Sequence, residues 1–105
     1  MKARRRRRSV GGMDTLAYYT VELASPREGW TNLPHLSSRA RQATEEMRRE
    51  GIQVRFLRSV FVPEDETCFY LYEAASAEAV REAARRAALQ SGRVAEALTD
   101  SGASG

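Results

Sequence analysis

Apolar and polar positions change period several times along the chain. Leu16 to Leu23 (LAYYTVEL) concentrates aromatic and β-branched residues and predicts a strand. Ala24 to Leu33 holds Ser25-Pro26, Gly29 and Asn32, the punctuation of a loop. From Leu36 to Glu50 the period lengthens. Leu36, Ala40, Ala43 and Met47 recur at steps of four, three and four, one face of a helix. Glu45 and Arg49 support its outer side as an i,i+4 pair, and Gly51 stands where a helix-ending glycine belongs. Val54 to Val62 (VRFLRSVFV) and Thr67 to Ala74 (TCFYLYEA) return to strand character. Pro63-Glu64-Asp65-Glu66 turns between them, so the pair predicts a hairpin. Ser76 is a good N-cap for a second helix over 77–88, with Val80, Ala83, Ala84 and Ala87 on one face. Gln90-Ser91-Gly92 breaks it, and Arg93 to Thr99 predicts a short last strand.

The order β-α-β-β-α-β is the split βαβ arrangement, so the fold class is α+β, a ferredoxin-like sandwich. Right-handed crossovers put both helices on one face of a four-stranded antiparallel sheet, in spatial order 4-1-3-2. The other face is then bare. In the first strand Ala17, Tyr19, Val21 and Leu23 share the helix side, and Tyr18, Thr20 and Glu22 share the other. A turn centred between Glu64 and Asp65 pairs Phe61 with Cys68, Ser59 with Tyr70, and Leu57 with Tyr72. The apolar weight of Phe56, Val60, Val62, Phe69 and Leu71 assigns those five to the helices. The bare face then carries Tyr18, Thr20, Glu22, Leu57, Ser59, Phe61, Cys68, Tyr70 and Tyr72, joined by Val94, Glu96 and Leu98. So aromatic a face predicts an interface. The simplest is a two-fold homodimer through the sheet, of the dimeric α+β barrel type, enclosing a cavity.

Charge divides the chain. It carries 17 Lys+Arg against 14 Asp+Glu, a net of +3. Lys2 and Arg4 to Arg8 lie in the first twelve residues, where there is no acid, so the basic balance belongs to a tail. Residues 1–12 read as a disordered, dispensable segment, or as untranslated with Met13 the start. Nucleic acid is not an expected partner, except non-specifically through Arg4 to Arg8. One domain over 13–100 follows, then a frayed 101–105. The lone cysteine excludes an internal disulfide and fits a reducing compartment. No stretch reaches the ~20 apolar residues of a membrane span, and no secretory signal is readable. The expected location is cytoplasmic.

The assumed topology brings Glu22, His35 and Cys68 to one rim of the sheet. A carboxylate, an imidazole and a thiolate suit nickel, zinc or copper, although no two stand at a diagnostic metal-ligand spacing. Tyr18, Glu22, Ser59, Tyr70, Tyr72 and Glu96 would line a ligand pocket beside them. No phosphate loop and no nucleophile with an orienting partner is present, so binding without turnover is favoured over catalysis. An alternative is a cofactor-independent enzyme acting on a small apolar substrate, with Glu22 or Glu96 as general base. Another is an interaction module without a ligand.

Val54 to Glu66 (VRFLRSVFVPEDE), Thr67 to Ala74 (TCFYLYEA) and Ser76 to Ala83 (SAEAVREA) resemble a family of small actinobacterial nickel-binding, nickel-responsive proteins. The likeness continues more weakly through Arg93-Val94-Ala95-Glu96-Ala97. It implies a ferredoxin-like domain, a dimer, and nickel or another divalent transition metal as the bound ion. Thr20-Val21-Glu22-Leu23 keeps only the Val-Glu pair of the family's pattern, and Leu89-Gln90-Ser91-Gly92 replaces its usual Leu-Pro-aromatic-Asp turn. With one histidine, a histidine-rich site within one subunit is impossible.

Overall fold

A computed structural model describes residues 16–26, 31–89 and 92–98. The arginine run and residues 99–105 lie outside these. The elements run β1 (Ala17–Ala24), α1 (Leu33–Arg49), β2 (Val54–Val62), a 3-10 turn (Pro63–Asp65), β3 (Thr67–Ala74), α2 (Ala77–Arg86) and β4 (Arg93–Ala97). The strands form one antiparallel sheet in the order β2-β3-β1-β4. This is the expected ferredoxin-like α+β arrangement. Helix α1 starts three residues before the sequence predicts, because Pro34 fits the first turn, where no intrahelical N–H bond is lost.

Both helices end alike. The Ile52 N–H returns to Met47 O and the Gly51 N–H to Arg48 O, with Gly51 at φ 89°. At α2 the Leu89 N–H returns to Ala84 O and the Ala88 N–H to Arg85 O, with Ala88 at φ 63°. These double caps satisfy the last carbonyls and reverse the chain toward the sheet. At the start of α2 the Ser76 hydroxyl accepts from the Ala79 N–H at 3.1 Å. The same residue types at the same spacing predict this cap in the sequence.

The core lies between sheet and helices. Ala40, Ala43, Thr44 and Met47 of α1, and Val80, Ala83 and Ala84 of α2 with Ala87 beyond its end, meet Val21, Val54, Phe56, Cys68, Tyr70, Tyr72 and Ala74. Ser37 and Ser59 hydroxyls, 2.7 Å apart, join α1 to β2. Outside the core Arg86 binds Glu82 at 2.8 Å, Glu46 at 3.0 Å and Glu50 at 2.8 Å, linking the two helices.

This network sets an acid limit. Hydrogen bonds from Arg85 and then Arg86 hold Glu82 down from 4.5 to about 2, and Arg86 likewise lowers Glu50. A carboxyl lowered on folding stabilises the fold above its ordinary pKa, and that contribution is lost as pH falls through the folded value. The melting-temperature gap between the native chain and Arg86→Gln is therefore expected to be widest near neutrality and to close toward pH about 2. Thermal melts across that range check it; a gap independent of pH contradicts it.

Except at Phe56, which lies on the helix side as expected, the assignment of hairpin faces is reversed. Phe61 pairs with Cys68 and Ser59 with Tyr70, as expected, but Phe56 rather than Leu57 stands opposite Tyr72. A bulge between Phe56 and Arg58 inserts one residue and shifts the alternation. Val54, Phe56, Ser59 and Phe61 thus share the helix side with Cys68, Tyr70, Tyr72 and Ala74. Arg58, Val60, Val62, Phe69 and Leu71 take the opposite face. In β1 the expected division holds, since Tyr19, Val21 and Leu23 lie in register with Tyr72, Tyr70 and Cys68. Val94 and Glu96 stand in register with Val21 and Tyr19, so they too belong to the helix side, and Val94 packs against the core.

Candidate functional site

Among the described residues no element covers the second sheet face. The register lays it out in rows from β2 to β4. One row is Val60, Phe69, Glu22 and Arg93. The next is Arg58, Leu71, Thr20 and Ala95. The third is Arg55, Glu73, Tyr18 and Ala97. Val60 is 46% exposed; Phe69, Leu71, Tyr18 and Thr20 are half-buried. An apolar centre (Val60, Phe69, Leu71) is thus bordered by charge. Arginines lie on the edge strands and carboxylates on the inner ones. Glu22 accepts from Arg93 at 3.1 Å across β1 and β4.

The rim trio does not assemble. Glu22 is on the uncovered face. Cys68 is 2% exposed on the other, in register with Leu23. His35 is exposed in the first turn of α1. Among the described residues no three of His, Cys, Asp and Glu come together as a metal site. Burial raises the Cys68 thiol pKa, while the Tyr70 hydroxyl beside it lowers it by less. The buried thiol therefore stays protonated near neutrality, and thiol is a poor ligand. The described residues of one chain do not fit a metal centre.

The six expected pocket residues also divide. Tyr18 and Glu22 remain on the uncovered face. Ser59, Tyr70 and Tyr72 lie beneath the helices, and Glu96 is exposed at the β4 edge, in register with Tyr19. Tyr70 and Tyr72 act as core. Their rings pack on Phe56 at 6.3 and 5.5 Å, the second edge-on, and burial raises both hydroxyl pKa values. Arg41 closes the cluster, its guanidinium 5.2 Å from the Phe56 ring centre. The residues that sequence reasoning missed for the face are Arg55, Arg58, Val60, Phe69, Leu71 and Glu73. Their signal is present as strict alternation in TCFYLYEA; only the bulge decides which half faces out.

Among the described residues the Tyr72 hydroxyl is buried without a hydrogen-bond partner. An unpaired buried hydroxyl costs about 1–3 kcal/mol. Tyr72→Phe is expected to raise stability by about 1 kcal/mol, read in urea unfolding. A loss of stability would mean the hydroxyl has a partner in solution.

A four-stranded antiparallel sheet with helices on one side and an apolar, charge-rimmed face on the other defines a class. It is the ferredoxin-like α+β sandwich. The chain belongs to the SCO4226-like family of nickel responsive proteins, whose match spans residues 27–96. No curated protein and no solved structure matches it.

Proposed function

We propose that this protein is a small binding protein of the nickel response that works as a two-fold homodimer closed through the uncovered sheet face. The observation that carries this reading is that face, with Val60, Phe69 and Leu71 at its centre and Glu22 among them. A two-fold interface is self-complementary: the arginine edges of one copy can meet the inner carboxylates of the other. Membership of a nickel responsive family supports nickel as the ion, with other divalent transition metals as alternatives. One chain offers no three-ligand group among the described residues, so a bound ion takes ligands from both copies. Glu22 is the group expected to be supplied twice, because every residue of a two-fold face occurs twice.

Calorimetric titration of Ni²⁺ and Zn²⁺ into the full chain tests this reading. Saturable binding is expected, weakened at least tenfold by Glu22→Gln and within twofold of native for Cys68→Ser and His35→Ala. Binding that survives Glu22→Gln but is lost with Cys68→Ser or His35→Ala would restore the rim trio. Absence of binding by either metal would leave an interaction module.

A further inference from the structure

The two outer strands of the sheet differ as edges. The register of β2 is broken by its bulge, and exposed Arg55 and Arg58 blunt it as a template for another strand. β4 keeps an unbroken register from Arg93 to Ala97 against β1, and pairs with no other strand among the described residues. Its outer backbone N–H and C=O groups are therefore open to a further strand. Leu98, just past the end of β4, is 91% exposed.

Beside this edge lies a cleft of about 620 Å³, lined by Arg81, Ala84, Arg85, Gly92 and Val94. Buried Ala84 and half-buried Val94 give it an apolar floor. Among the described residues Arg81 meets one carboxylate, Glu78 at 3.8 Å, and its side chain is 59% exposed. The far end of the edge is acidic. Burial, and then Glu96 and Glu78, raise the Tyr19 hydroxyl pKa, so both carboxylates stand near that ring. Glu96 is exposed and makes no ion pair among the described residues. Val94 and Glu96 share the helix side, and a Cβ at Gly92 would point the same way, toward Val21 and Leu23. These alternate positions are about 7 Å apart. The edge thus runs from an arginine-lined end at Gly92, past apolar Val94, to an acid at Glu96.

We infer that the β4 edge and this cleft bind an extended segment of a partner protein, which adds a fifth strand antiparallel to β4 and carries a base, an apolar residue and an acid at alternate positions. Antiparallel pairing continues the rest of the sheet and is the more stable ladder. In that direction a segment opposite residues 92–98 begins with an apolar residue at Leu98. It then sets its base against Glu96, its second apolar residue over Val94 and Ala84, and its acid at Gly92 within reach of Arg81. Main-chain hydrogen bonds supply affinity, and the alternate side chains supply selection. A second copy of this chain does not fit. Two β4 strands centred on Ala95 would place Glu96 opposite Val94 and give it no base, and centred on Glu96 they would oppose like charges. The cleft opens on the helix side, so the inference stands apart from the proposed dimer and its metal.

Fluorescence anisotropy of a labelled, capped heptapeptide, Val-Thr-Lys-Thr-Val-Thr-Glu, titrated with the full chain tests the inference. Saturable binding is expected. The peptide with Lys and Glu exchanged has the same composition and is expected to bind about fivefold more weakly. Glu96→Lys, at an exposed position without an ion pair, is expected to weaken the first peptide by a similar factor. N-methylation of alternate peptide amides is expected to abolish binding in one phase and to leave it within about threefold in the other, because only every second amide faces β4. The outward amides of β4 are expected to exchange freely with solvent deuterium in the chain alone and to be protected by the peptide. Equal binding of the two peptides, or an unchanged Glu96→Lys, would overturn the charge-matched cleft. Equal losses from the two methylation phases would overturn strand addition. Absence of binding, or β4 amides all protected without peptide, would overturn the docking edge itself.

Discussion

Leu71→Arg is expected to leave the fold intact and to yield a single-chain species, whereas Tyr70→Arg, one position away, is expected to abolish cooperative folding. The difference comes from the alternation of β3. Tyr70 is 1% exposed, packs on Phe56 and lies in register with Val21. Removing a core aromatic costs about 3–5 kcal/mol, and an unpaired buried charge adds to that. A small domain has only about 5–15 kcal/mol in total. Leu71 lies on the uncovered face between Arg58 and Thr20, so its replacement by a cation costs the isolated chain at most about 1 kcal/mol. In the proposed dimer that cation would be buried against its own copy. Circular-dichroism melts and sedimentation of the two variants read both halves. A folded Tyr70→Arg beside an unfolded Leu71→Arg would reverse the faces again.

Gly92→Ala is the second large effect. A Cβ at this position would lie 2.5 Å from Val21 Cγ1, 3.0 Å from Leu23 Cγ and 3.1 Å from Glu22 O. Val21 is fully buried and Glu22 O is backbone of the sheet, so neither can yield cheaply. Glycine is needed here for close approach, where the chain passes from α2 into β4 beside β1. Overpacking of this kind costs about 1–3 kcal/mol. Each kcal/mol moves the melting temperature of a domain this size by about 4–8 °C. Gly51→Ala is a useful contrast. A Cβ there meets nothing within 4 Å, and its cost comes only from φ 89°. A Gly92→Ala variant that melts with the native chain would show that β4 can shift away from β1.

The element order was legible because each period change in the sequence is long and punctuated. Both hairpin strands begin and end where aromatic and β-branched residues give way to Pro63 or to Ser76. The stripes Leu36-Ala40-Ala43-Met47 and Val80-Ala83-Ala84-Ala87 face the sheet as their spacing predicts. The faces of the hairpin were not legible, and the cause is local. TCFYLYEA offers Cys68, Tyr70 and Tyr72 on one side and Phe69 and Leu71 on the other, two sets of similar apolar weight. In β2 the extra residue moves Phe56 to the side of Ser59 and Phe61, which joins the aromatic bodies into one cluster. Alternation alone cannot reveal an inserted residue. The rim trio failed with it, since Cys68 follows its strand's face. The link between the helices was invisible for another reason: the pairs of Arg86 with Glu46 and Glu50 join residues far apart in sequence.

Sedimentation velocity of the native full chain, over a wide concentration range with and without Ni²⁺, tests most directly whether the uncovered sheet face takes a second copy. The expected result is a species of twice 11.8 kDa that persists on dilution and is tightened by the metal. A single species of 11.8 kDa at every concentration, unmoved by Ni²⁺, would contradict it.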